Sequence, residues 1–253
     1  MHAIVLAGGK GSRLRPYAAH RPKALVEFGD HSILEIIVRQ LRTAGATRVT
    51  LCLHHLGEMI QERFSEGRRY GLSIDYTWDE TPLGTAAPLL DVADWETPAV
   101  VLNCDVLTSL DFADLYRRHQ EGGGVLTVAC RKREIPLQLG VLDLADGGDV
   151  LGIREKPVLT VDVSTGIHVA DPAVRKFIPE GQAMDMPDLI TALIDEEQPV
   201  RAHEFEDSWY DIGTPENYED AKKAFLASPS HYLGPRSATA GVDRGTALHG
   251  APR

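Results

Sequence analysis

Apolar and polar positions along the chain alternate between two rhythms. Short runs rich in Val, Ile, Leu and Thr read as strands at Ala3–Ala7, Arg48–Leu53, Ser73–Trp78, Val100–Asn103 and Val125–Cys130. Between them, apolar residues recur at helical spacing. The clearest case begins at Ser32, where Ile33, Ile36, Ile37, Leu41 and Ala44 share one face, Ser32 and Glu35 form a capping box, and Gly45 is a natural stop. Helices are also predicted over Gly57–Tyr70, Thr85–Ala93, Asp111–Glu121 and Pro187–Glu196. A last one opens with Thr214 as cap and Pro215 at the first helical position. This alternation predicts an α/β fold, a mostly parallel sheet with helices on both faces.

The second half carries more strand patterns, at Gly140–Leu144, Val150–Arg154, Thr165–Val169 and Val200–Phe205, with Gly147-Gly148 as a hairpin turn. From Ser228 the composition shifts to Ser, Pro, Gly and Ala without apolar periodicity, so Ser228–Arg253 reads as a flexible tail. Residues 1–227 read as one domain, and a chain of 253 residues can bury one sizeable core.

Charge narrows the partners. The formal net charge is -11, from 37 acidic against 26 basic residues, so nucleic acid and anionic membrane surfaces are excluded as main partners. No stretch is long and apolar enough to span a membrane, and the first apolar run is too short for a signal peptide, so a soluble cytoplasmic protein is expected. Cys52, Cys104 and Cys130 form no C-x-x-C pair and each lies in an apolar run, the pattern of reduced, buried thiols.

The chemistry concentrates at the N-terminus. The first strand runs straight into Gly8-Gly9-Lys10-Gly11, followed by Arg13, Arg15 and, after Pro22, Lys23. Glycines let the backbone approach a bound group closely, and the cations supply charge that phosphate oxygens bind. At the end of the first strand of an α/β sheet, this suits a nucleoside triphosphate; a tight turn with solvated basic residues is the other reading. Two better-known phosphate loops are absent: Ser12 and Arg13 after Gly11 rule out G-x-x-x-x-G-K-[ST], and Leu14 rules out G-x-G-x-x-G. Asp105 in Asn103-Cys104-Asp105 follows an apolar strand, at the edge where such sheets place their sites. A helix cap or turn residue would look the same.

Leu6–Pro16 matches, position by position, the LAGG-x-G-[ST]-R-L-x-P opening of the sugar-1-phosphate nucleotidyltransferases, and Pro22-Lys23 supplies their P-K. Trp209–Thr214 matches their W-x-D-I-G-T motif, Glu155-Lys156-Pro157 their E-K-P, and Asn103–Val106 resembles their metal-binding segment. The chain is most similar to the mannose- and heptose-1-phosphate guanylyltransferases of that family. The resemblance implies a Rossmann-like nucleotide-diphospho-sugar transferase fold, with a nucleotide-binding half over about residues 1–130 and a sugar-binding half over about 131–227. Longer members add a C-terminal β-helix of hexapeptide repeats, and no such period is present here.

By the same resemblance, Asp105 and Asp211 hold Mg²⁺, which favours hard oxygen ligands. Arg13 and Lys23 contact the triphosphate, Arg13 at the leaving pyrophosphate, and Lys156 bridges the α-phosphate and the sugar phosphate. Leu6, Ala7, Gly8, Gly9, Gly11, Ser12 and Asn103 form the nucleotide site, with Pro82, Gly84 and Thr85 of the P-L-G-T-A segment reading the base. That segment favours GTP over other triphosphates. Gly140, Glu155 and Thr165 form the sugar site.

Here the pattern departs from the family: Leu139 stands where Tyr is common, and Ser164-Thr165-Gly166-Ile167-His168 where Asn-x-Gly-Ile-Tyr is common. Replacing an amide by one hydroxyl changes which sugar hydroxyls are favoured, so an acceptor other than plain mannose 1-phosphate is expected, such as a heptose or cyclitol phosphate. A phosphate nucleophile is already ionised, so no Ser-His-Asp constellation is needed and His54-His55 reads as a polar loop. Two other readings are a catalytically silent sugar-nucleotide sensor and a nucleotidyltransferase for a non-sugar phosphate such as phosphocholine. The motifs are compatible with a homo-oligomer and do not define one.

Overall fold

The computed structural model describes residues 1–79 and 81–233. Its strands are β1 (His2–Leu6), β2 (Glu27–Phe28), β3 (His31–Ser32), β4 (Arg48–Leu53), β5 (Ser73–Trp78), β6 (Ala99–Asn103) and β7 (Val106–Thr108), then β8 (Leu126–Pro136), β9 (Val141–Leu144), β10 (Val150–Arg154), β11 (Val158–Ala170), β12 (Val200–Glu204) and β13 (Trp209–Asp211). The helices are α1 (Ile33–Thr43), α2 (Gly57–Phe64), α3 (Phe112–Gly122), α4 (Met186–Asp195), α5 (Pro215–Ala227) and α6 (Pro229–Leu233).

Seven strands form the central sheet in the order β12-β8-β11-β6-β1-β4-β5. All pairings in it are parallel except those of β11, which runs antiparallel to β6 and β8. Side chains alternate across each strand, so Val5, Leu51 and Leu102 enter one core layer while Ile4, Cys52 and Val101 enter the other. The first layer holds the apolar faces of α1, α2, α3 and α5; the second holds α4 with two 3₁₀ turns, Ala87–Asp91 and Pro172–Phe177. This is the mostly parallel, helix-flanked α/β fold expected, and no β-helix is present among the described residues.

Local signals act as predicted at several ends. Ser32 Oγ accepts the Glu35 amide at 3.2 Å, and Thr214 Oγ1 accepts the Asn217 amide at 3.3 Å. Glu35 turns its carboxylate to Arg39 instead of closing the box, because the neighbouring guanidinium offers a charge-assisted bond at 2.9 Å. Three expectations are corrected. The helix predicted over Thr85–Ala93 is only the short turn Ala87–Asp91, and the one over Gly57–Tyr70 stops at Phe64 before a separate 3₁₀ turn, Arg68–Tyr70. Residues 229–233, assigned to the tail, form α6, where Tyr232 is buried with its ring 5.8 Å from that of Phe225. Residues 234–253 of that predicted tail lie outside the described residues.

Beyond the sheet, β8 and β11 continue as a two-stranded ribbon, and β9 pairs with β10 as a hairpin. A separate pairing, β13 antiparallel to β7, matters most for the site.

Candidate active site

One cleft of about 480 Å³ crosses the carboxyl ends of β6, β1, β4 and β5. Its wall takes Asn103, Cys104 and Asp105 from after β6, and Leu6, Gly8, Gly9 and Lys10 from the first loop. Cys52 and His54 come from the end of β4, Asp79 from the end of β5, and Pro82, Gly84, Thr85 and Pro88 from the segment that follows. The loop leaves the sheet between its neighbours, with the Ala7 amide on the Cys52 carbonyl at 2.8 Å and the Cys104 amide on the Leu6 carbonyl at 3.1 Å. Gly11 turns with φ +60°, and a Cβ there would meet Ala18 and Lys23 at 3.1 and 3.2 Å. The glycine therefore lets Lys23 pack under the loop. Lys23, its side chain only 10% exposed, donates to the Asp105 carboxylate.

Asp105 and Asp211 meet through the backbone. Asp211 on β13 opposes Val106 on β7, and the Ile212 amide donates to the Asp105 carbonyl at 3.0 Å. Gly213 leaves room for the Asp211 carboxylate, whose oxygens would lie 3.1 and 3.3 Å from a Cβ there. The Trp209 indole donates to the Thr165 carbonyl at 3.0 Å, anchoring β13 to β11. Asp211 nevertheless lines a different cavity, of about 310 Å³, with Arg131, Lys132, Arg133, Tyr210 and Asn217 among its walls. Among the described residues no group of three or more His, Cys, Asp or Glu side chains could hold a metal. Asp105 at the cleft and Asp211 at the adjoining cavity each offer hard carboxylate oxygens, the donor type that Mg²⁺ takes together with phosphates and water.

The other assigned residues are placed unevenly. Ala7 is buried behind the loop, while Ser12 and Arg13 occupy a 3₁₀ turn, exposed and outside the cleft wall. Gly140 and Glu155 are close neighbours, a Cβ on Gly140 lying 3.1 Å from Glu155 Oε2, but they and Lys156 are exposed and line neither cavity. Thr165 departs from the expected sugar contact. It is 1% exposed, and its hydroxyl donates to the Ala129 carbonyl at 2.7 Å, so the group is spent inside the fold. Thr85 is similarly occupied: its amide and hydroxyl both donate to Asp185 Oδ1, at 2.9 and 3.1 Å.

The cleft also takes in His54, which the sequence reads as part of a polar loop, and Asp79, which no sequence motif singles out. His54 lies against Gly8, with Cβ 3.1 Å from where a Gly8 Cβ would stand, and its Nδ1 is 2.9 Å from the Asp79 carbonyl oxygen. Burial, with the nearby Asp91 charge, raises the Asp79 carboxyl above its ordinary value. The signal available was position: both residues follow a strand at its carboxyl end, as Asp105 does. Gly166 was also passed over. With φ +71° it brings β11 against Asn103, whose Nδ2 would be 2.7 Å from a Cβ. The thiols of Cys52 and Cys104 are pushed up to about 12 by burial, and all three cysteines are free and buried, as predicted.

The structure thus belongs to the open α/β proteins whose ligand cleft lies outside the carboxyl ends of the strands. Within that class the chain is a member of the nucleotidyl transferase family, whose model matches residues 2–228. The resemblance carried by Leu6–Pro16, Glu155–Pro157 and Trp209–Thr214 is therefore borne out. The chain is 30% identical over 247 residues to a UTP–glucose-1-phosphate uridylyltransferase of Synechocystis sp., a match covering 90% of this chain and 64% of that protein. It is 32% identical over 239 residues to mannose-1-phosphate guanyltransferase beta-B of Xenopus laevis, covering 91% and 66%. The chain therefore spans just under two thirds of these relatives' length. In fold it is similar to a putative glucose-1-phosphate thymidylyltransferase from Bacillus anthracis, with a TM-score of 0.74 at 20% identity over 94% of this chain and 98% of that one. It also resembles HddC from Yersinia pseudotuberculosis complexed with GMP-PN, with a TM-score of 0.69 at 21% identity over 88% and 99%.

Proposed function

We propose that the protein transfers a nucleotidyl group, with GTP as the favoured donor, to a sugar or cyclitol 1-phosphate and releases pyrophosphate. The observation that carries this reading is the single cleft in which Gly8, Gly9, Lys23 and Asp105 meet. An acceptor phosphate oxygen attacks the α-phosphorus, the new P–O bond forms, and the α–β anhydride bond breaks. Both partners are anions, so the protein's task is to neutralise charge and align them. The glycine turn offers amides to the triphosphate, and Lys23 offers a partly buried ammonium. Arg13 and Lys156, exposed and without an ion-pair partner among the described residues, supply cations from outside the cleft wall. No general base is required, because the attacking phosphate is already ionised.

Asp105 and Asp211 are the residues that would hold Mg²⁺, and the bound ion would add positive charge at the reacting phosphates. The guanylyl preference is supported by P-L-G-T-A at Pro82–Ala86 and by the relatives named as mannose-1-phosphate guanyltransferases; the Synechocystis relative makes uridylyl transfer the competing reading. The test is pyrophosphate release over four nucleoside triphosphates crossed with mannose, glucose, heptose and cyclitol phosphates. Turnover with GTP and a heptose or cyclitol phosphate supports the full reading. Preference for UTP overturns the guanylyl part, and clear preference for mannose 1-phosphate overturns the acceptor part. Turnover with no pair overturns the transferase reading.

A further inference from the structure

The segment Leu83–Ala87, whose Gly84 and Thr85 line the cleft, is held by a stretch of the second half. The Met184 amide donates to the Leu83 carbonyl at 2.8 Å, and the Ala86 amide donates to the Met184 carbonyl at 2.9 Å. Thr85 completes the join with its amide and hydroxyl on Asp185 Oδ1, while its oxygen accepts the Met186 amide at 2.8 Å. Gly84 has φ +91°, and a Cβ there would stand 2.5 Å from the Met184 carbonyl oxygen and 2.8 Å from Asp185 Oδ1. The two segments are in direct contact, and only glycine fits between them. Asp185 also begins α4, where its own amide is taken by the Asp188 carboxylate at 3.1 Å. One carboxylate therefore sits between the cleft wall and the start of a helix packed on the second core layer.

We infer that Asp185 is a positioning residue for the nucleotide: by gripping Thr85 it holds the Pro82–Thr85 wall at the distance a bound base requires. This rests on the cleft being the nucleotide site. An ionised oxygen accepting two donors from one residue fixes both main chain and side chain, and bonds to a charged group are the stronger ones. The grip leaves the donors of Thr85 engaged, so its contribution is the shape of the wall, not a direct contact to the base.

The experiment measures binding of GTP and UTP by calorimetry, and steady-state KM for nucleotide and acceptor, in the wild type, Asp185→Ala, Asp185→Asn, Thr85→Val and the Thr85→Val/Asp185→Ala pair. Asp185→Ala is expected to weaken the bound nucleotide about tenfold with the acceptor KM unchanged. Asp185→Asn keeps an oxygen that accepts both Thr85 donors and caps the helix, so it should retain affinity within about twofold. The double variant should lose little more than Asp185→Ala alone, because both remove one grip. Unchanged nucleotide affinity in a folded Asp185→Ala, with only the melting temperature lowered, would overturn the inference and leave a helix cap. Should that variant fail to fold, a Thr85→Val protein with wild-type affinity overturns it equally. A wild type that binds neither nucleotide overturns the nucleotide-site reading itself.

Discussion

The amide of Ile212 donates to the carbonyl of Asp105 at 3.0 Å, and with it two short strands lock the ends of two distant motifs together. Asp105 lines the cleft with Lys23, while Asp211 on β13 opposes the next residue, Val106, and lines the second cavity. The pairing fixes the two backbones side by side before any ligand arrives, while the Asp105 and Asp211 side chains line separate cavities.

Replacing either carboxylate tests their shared role. Asp105→Asn and Asp211→Asn should each lower pyrophosphate release by about a hundredfold or more, with the far-ultraviolet dichroism unchanged. Turnover within about threefold of the wild type in either variant would remove that residue from the proposed ion site.

Lys23 has a second consequence, for stability. Its side chain is 10% exposed and that of Asp105 25%, so Lys23→Met strands a partly buried carboxylate. Denaturant titration should show a loss of about 1–3 kcal/mol. Adding Asp105→Asn to that variant should recover part of the loss, because no charge is then left alone. A double variant as unstable as the sum of the singles would contradict the pairing.

Arg13 offers the opposite combination. It is exposed and in no ion pair among the described residues, so Arg13→Ala should leave stability within about 0.5 kcal/mol. Its partner charge grows as pyrophosphate leaves, so kcat should fall while the acceptor KM holds. A defect confined to acceptor binding would refute the assignment.

Gly166→Ala probes the join between β11 and Asn103. The position has φ +71° and the new methyl would lie 2.7 Å from Asn103 Nδ2. Stability should fall by about 1–3 kcal/mol and nucleotide KM should rise as Asn103 is displaced. Gly147→Ala, where nothing lies within 4 Å, is the control and should be close to neutral.

Stability should also fall on mild acidification. His2 and His168 are buried, and burial lowers each from 6.5 to about 4. The folded protein keeps them neutral while the unfolded chain protonates them, so their contribution is complete above about pH 6.5 and is lost as pH falls toward 4. From about pH 7.5 to about pH 5 each should remove up to roughly 2 kcal/mol, read from denaturant midpoints. A profile that stays level for the wild type through that window would show that neither ring is held neutral.

Much of this architecture is legible in the chain. β4, β5 and β10 run over the predicted residues, because Val, Ile, Leu and Thr in short runs bounded by turns have few alternatives. The glycine loop is legible too, since Gly8, Gly9 and Gly11 follow the first strand directly. Thr165 and Thr85 show where legibility stops. Each looks like a ligand hydroxyl in a motif, yet each is occupied by a partner from another element, Ala129 in one case and Asp185 in the other. A motif records which atoms are present and is silent on which neighbours will claim them.

The order of elements, the glycine turn and the caps at Ser32 and Thr214 are determined by the chain itself, because periodicity, turn geometry and capping act across a few residues. What only the tertiary structure decided is which side chains meet: Lys23 with Asp105, Asp105 with Ile212, Thr85 with Asp185, His54 with Asp79. β7 and β13 have three residues each, too few for any periodic pattern, and they form because burial of Val106, Leu107 and Ile212 beside the main sheet brings their edges together.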